Sequence, residues 1–92
     1  MEEDYIPELN PDFFLESIDN EILLYHPAKT NTFYLNETAS LVWNMCDGKR
    51  KIADIIFLLE QSYPEEGNQI SKDVIQTIER FVEHGAITLK ES

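Results

Sequence analysis

The chain is short of the residues that would staple it, anchor it or let it grip a polyanion. One cysteine in 92 residues excludes an intramolecular disulfide, and two histidines far apart give no zinc-ligand spacing. No apolar run approaches the roughly 18–20 residues that a membrane span needs. Met1-Glu2-Glu3-Asp4 is the reverse of a signal peptide's basic start, so a soluble, cytoplasmic protein is expected. The three glycines are isolated, which leaves no phosphate-cradling loop. Bases are scarce too: seven Lys and Arg against eighteen Asp and Glu give a net charge of −11, and residues 1–21 hold acids but no base. Nucleic acid would be repelled, because phosphate binding depends on cations that displace condensed counterions. The acidity serves solubility or attracts a basic partner segment.

What remains is enough for one modest core. Residues 1–12, with Pro7 and Pro11, read as an N-terminal arm that docks locally or stays loose, ahead of a domain over residues 13–90. Phe13 to Ile18 and Glu21 to Tyr25 are β-prone runs around Asp19-Asn20, a hairpin pattern. His26 to Asn31 breaks the ladder, and Thr32-Phe33-Tyr34-Leu35 is a third strand at one edge of a meander. Asn36 can cap a first helix, with Glu37 in its first turn. At 100° per residue Ala39, Val42, Trp43 and Cys46 share one face and Leu41 and Met45 another, so this helix must lie between the sheet and the other helices; Asp47-Gly48 ends it. Ile52, Ile55, Ile56, Leu59 and Tyr63 mark a second helix stopped before Pro64. Residues 65–69 read as a loop and Ser71 as the N-cap of a third helix, with Val74, Ile75, Ile78, Phe81 and Val82 on one arc and Gly85 at its end. Ala86 to Lys90 is at most a short closing strand. The order is three strands, three helices and a tail.

Little here points to catalysis. Cys46 shares the apolar face of its helix, where a thiol is held protonated and unreactive. His84 suits the negative end of a helix dipole, His26 sits in a loop, and the acids form no general acid and base pair. Lys49-Arg50-Lys51 reads as a solvated connector or a docking point for an acidic partner, and Phe57 as covered by a neighbour or exposed for another protein. The functional asset is the sheet edge, since Thr32 to Leu35 carries neither proline nor charge to block an incoming strand. A third helix alongside would turn that edge into a groove for strand addition.

Leu23-Leu24-Tyr25-His26-Pro27, Tyr34-Leu35-Asn36-Glu37-Thr38-Ala39, Cys46-Asp47-Gly48-Lys49-Arg50 and the two following apolar helices, with Gly85 and Ile87, resemble in order and spacing the PqqD-like proteins, also called RiPP recognition elements. The likeness covers roughly residues 13–90. It implies an α+β, winged-helix-like fold, three antiparallel strands followed by three helices, that is not itself an enzyme and needs no cofactor or metal. Members bind the leader of a ribosomally made precursor peptide and present its core to a modifying enzyme, a radical SAM enzyme in pyrroloquinoline quinone synthesis or a leader peptidase in lasso-peptide pathways. The resemblance assigns Thr32, Phe33, Tyr34 and Leu35 to the strand wall of the peptide site, and the third helix, through Ile75, Ile78, Glu79 and Val82, to the other wall. Lys51 departs from the family, which often has a capping Thr or Ser there.

Two rival readings come from other classes. A winged-helix nucleic-acid binder would need a basic third helix, yet Lys72 and Arg80 face Asp73, Glu79 and Glu83. A homodimer would pair the open edge with its own copy or swap the N-terminal arm.

Overall fold

The computed structural model describes residues 3–29 and 32–91; Met1, Glu2, Thr30, Asn31 and Ser92, which include parts of the expected arm and of the His26 to Asn31 break, lie outside the described residues. The elements run β1 (Ile6–Leu9), β2 (Phe14–Ile18), β3 (Glu21–Tyr25), β4 (Thr32–Leu35), α1 (Glu37–Met45), α2 (Ile52–Ser62), α3 (Asn68–Glu83) and β5 (Ile87–Lys90). The fold is α+β, with an antiparallel sheet in the order β2-β3-β4 and three helices.

The expected hairpin is β2 and β3, paired from Phe14 with Tyr25 to Ile18 with Glu21. Asp19 closes the turn at φ 56°, in the left-handed region that a short polar side chain tolerates. β4 is the strand read as third from the sequence, and it pairs with β3 from Ile22 with Leu35 to Tyr25 with Thr32. Its residues alternate, Phe33 and Leu35 buried and Thr32 and Tyr34 exposed, as a strand with one face on a core requires.

α1 begins where Asn36 caps it, the side-chain oxygen accepting from the Ala39 amide at 2.8 Å. Val42 and Trp43 are buried, and the Trp43 ring meets Phe81 of α3 edge-on at 5.5 Å between centroids, so that α1 packs on α3 while also contacting β4. Gly48 follows at φ 78°.

Three features depart from the sequence reading. β1 is a strand inside residues 1–12, and it pairs antiparallel with β5 in a second, two-stranded sheet, with Pro7 buried opposite Leu89. α3 starts at Asn68 with Gly67 as its N-cap, so Ser71 lies within the first turn and the loop ends earlier than residues 65–69 suggest. Ile70, fully buried, extends the apolar stripe of Val74, Ile78 and Phe81 back by one turn, and that burial outweighs the capping preference of Ser71. Lys51 stands at the N-cap of α2 and has no side-chain acceptor. The amides of Ile52 and Ala53 are satisfied instead by the carbonyls of Tyr5 and Glu3, each at 2.9 Å, while the Asp54 carboxylate accepts from the Lys51 amide at 3.0 Å.

Candidate peptide-binding groove

A sheet edge can take a new strand only if its own N–H and C=O groups are unpaired. Among the described residues, β4 pairs with β3 alone, so its outer edge is open. β2 has an open edge as well, but Glu16 sits at its centre and places a charge where an incoming strand would have to pair. β1 is guarded on its far side by the segment after α1, through Leu9 N–H to Cys46 O and Gly48 N–H to Pro7 O, both 3.1 Å.

β4 is also the edge with a helix beside it. Phe33 points inward and packs on the C-terminal half of α3: its ring centre lies 6.1 Å from that of Phe81 and 4.8 Å from that of His84, which stacks on it at 28°. The guanidinium carbon of Arg80 lies 4.9 Å from the Phe33 centroid, a cation–π distance. These contacts fix which flank of α3 faces β4. At about 100° per residue, Asp73 and His84 fall within about 40° of Arg80, and Thr77 within about 60°.

Of the residues expected at the site, Thr32 to Leu35 form the open strand, with Tyr34 the most exposed at 62% and with Phe33 and Leu35 buried as part of the core. Ile75, Ile78, Glu79 and Val82 are not brought to the same place. They lie between about 100° and 160° round α3 from Arg80, on the side away from Phe33. Ile78 is fully buried, Ile75 is half-buried against the core, and Glu79 and Val82 are exposed. Arg80 and His84, not among the residues expected at the site, are the ones that flank Phe33. Their spacing of four, which stacks both side chains on one helical stripe, was the available signal.

Cys46 and His26 are both engaged within the fold. Cys46 is fully buried, its thiol donates to Val42 O at 3.1 Å, and burial, aided by the Asp47 charge, pushes its pKa up to about 12. It borders a cleft of about 470 Å³ together with Glu8, Leu9, Pro11 and Asp47. His26 accepts the Ala28 amide through Nδ1 at 3.0 Å and meets Phe13 edge-on. Among the described residues no group of three or more His, Cys, Asp or Glu could hold a metal ion, and no helix is long and apolar enough to cross a membrane.

The family model described as coenzyme PQQ synthesis protein D matches residues 21–87, which takes in the open strand, all three helices and the contacts of Phe33 with α3. The chain belongs to the PqqD family. Within that family it is 32% identical over 73 residues to a protein of Klebsiella pneumoniae called PqqA binding protein, a match covering 79% of this chain and 75% of the relative. A second PqqA binding protein, from Klebsiella pneumoniae strain 342, is 30% identical over the same lengths. Both names describe a binding protein rather than a catalyst. No solved structure gives a significant match. In this member of the PqqD family, β1 lies outside the matched residues and β5 straddles their end.

Proposed function

We propose that this protein is a non-catalytic peptide-binding module of the cytoplasm. It binds the leader of a ribosomally made precursor by strand addition at β4 and presents the peptide to a modifying enzyme, a radical SAM enzyme or a leader peptidase. The single observation that carries the reading is the open, uncharged edge of β4 with α3 alongside. Membership of the PqqD family and the PqqA binding proteins among its relatives support the peptide as ligand.

Energetics say which part of the groove decides affinity. Ordering each leader residue costs roughly 1–2 kcal/mol of backbone entropy, and each new backbone hydrogen bond returns a net of about 0.5–1.5 kcal/mol. These terms nearly cancel. Selectivity therefore rests on the few leader side chains that contact α3, while the net charge of −11 favours approach of a basic peptide.

The test is a chemical-shift titration of the isotope-labelled chain with a synthetic PqqA peptide, the ligand that the names of its relatives give. Saturable shifts centred on Thr32 to Leu35 and on the stretch from Thr77 to His84 are expected. Saturable shifts confined to β1, β5 or the cleft beside Cys46, or no saturable shift at all, would overturn the reading.

A further inference from the structure

Strand addition has a weakness that the groove of this protein must answer. Backbone hydrogen bonds repeat along an edge, so they do not by themselves fix the register of the incoming strand, and a slip of one residue turns every side chain to the opposite face. Something on the walls has to mark one position.

The helix wall beside Phe33 carries two nitrogen donors. Arg80 in the last turn of α3 and His84, its C-cap, are both exposed and rest against the Phe33 ring. The ion pairs among the described residues are Arg50 with Asp47 and Lys90 with Glu8, and Arg80 belongs to neither. Glu79 and Glu83 are neighbours on α3, and Asp73 shares the stripe of Arg80 about 10 Å along the helix but is engaged by Gln69 Nε2 at 2.9 Å. Arg80 is thus held by an aromatic face, which restricts its motion, while its fork of N–H donors pairs with no carboxylate among the described residues. Such a fork matches a carboxylate in two-pronged fashion better than any other peptide side chain.

We infer that Arg80 and His84 form a carboxylate-reading subsite that sets the register of the bound peptide, so that the leader carries an Asp or Glu whose side chain falls beside Phe33. The inference rests on strand addition at β4 and adds the class of side chain read there. It is compatible with a leader that is basic overall: the summed charge steers the approach of the whole peptide, whereas the subsite acts at contact distance on one residue.

A displayed library of random twelve-residue peptides, selected on the full chain and on Arg80→Gln, tests it. Wild type is expected to enrich peptides with an acid at one fixed position. Changing that acid to its amide is expected to weaken binding about tenfold or more, as for loss of a charge-assisted hydrogen bond. In Arg80→Gln, and to a lesser degree in His84→Gln, the same change is expected to cost less than about twofold. Peptides that bind and shift the β4 amides but show no acid preference, or an acid-to-amide penalty that persists in Arg80→Gln, would overturn the subsite and leave strand addition standing. Bound peptides that leave the β4 amides unmoved, or a library that yields none, would remove strand addition and the subsite with it.

Discussion

The carbonyl of Tyr5 accepts a hydrogen bond from the amide of Ile52 at 2.9 Å, and the Glu3 carbonyl does the same for Ala53. Backbone from the N-terminal segment thus caps the helix whose own N-cap, Lys51, has no side-chain acceptor to offer. Because the donors at this helix end already have partners, Lys51→Ser is expected to stabilise by less than about 0.5 kcal/mol, at the low end of what a new serine cap supplies. Deleting residues 1–9 removes both caps, buried Pro7 and the partner of β5, and should cost about 3 kcal/mol or more. Urea denaturation of the two variants beside wild type measures both.

Gly48 sits at φ 78°, and a Cβ there would lie 2.5 Å from Glu8 Oε2. The carboxylate ends a flexible side chain whose pairing with Lys90 is solvent-exposed, so it can swing aside at little cost. The backbone strain cannot be relieved in that way. Gly48→Ala is expected to lose about 1–2 kcal/mol, and Glu8→Ala in the same chain should restore only a minor part of it. A double-mutant cycle by thermal or urea unfolding separates the two contributions.

Ile78 and Ile75 are three residues apart on α3 and should respond very differently. Ile78 is fully buried, so Ile78→Ala is expected to cost about 2–5 kcal/mol and Ile78→Asp to unfold the domain. Ile75 is only half-buried and lies on the flank away from Phe33. Ile75→Asp should remain folded by circular dichroism and retain leader affinity within about threefold, whereas a leader that packed on this flank would lose far more.

The Asp47 carboxylate accepts the Lys49 and Arg50 amides at 2.9 and 3.1 Å and pairs with the Arg50 side chain, which holds its pKa below the ordinary 3.8; the Lys49 bond contributes most. A depressed folded-state pKa adds stability that is fully present above the unfolded value and lost as pH falls through the folded one. Asp47→Asn is therefore expected to be less stable than wild type near neutral pH, with the gap closing below about pH 3.8 as wild type protonates. Denaturation midpoints of the two proteins between pH 2.5 and 7 measure the closure.

A thiol with its pKa near 12 and no exposed surface reacts only when the fold opens. At pH 8 Cys46 should be modified by a disulfide-exchange reagent at a rate set by unfolding, many orders below that of the urea-denatured chain. A native-buffer rate well above the denatured-chain rate multiplied by the unfolded fraction from urea titration would show a thiol accessible in the folded state.

The sequence by itself determined the scaffold of this protein. The β2–β3 turn at Asp19-Asn20, the β4 alternation of Phe33 and Leu35 with Thr32 and Tyr34, the Asn36 cap and the buried face of α1 follow from short-range periodicity and capping, which act within a few residues. The uncharged edge of β4 was legible in the same way. Only the tertiary structure decided the rest, because it turns on residues far apart in the chain. The apolar arc of α3 is wide enough to be satisfied in more than one rotation, and only the packing of Phe33 on Phe81 and of Trp43 against the same ring turns Arg80 and His84 toward β4 and Ile75 away from it. Likewise β1, four residues with a proline among them, does not announce itself; it becomes a strand because β5 and the segment after α1 supply partners for its backbone.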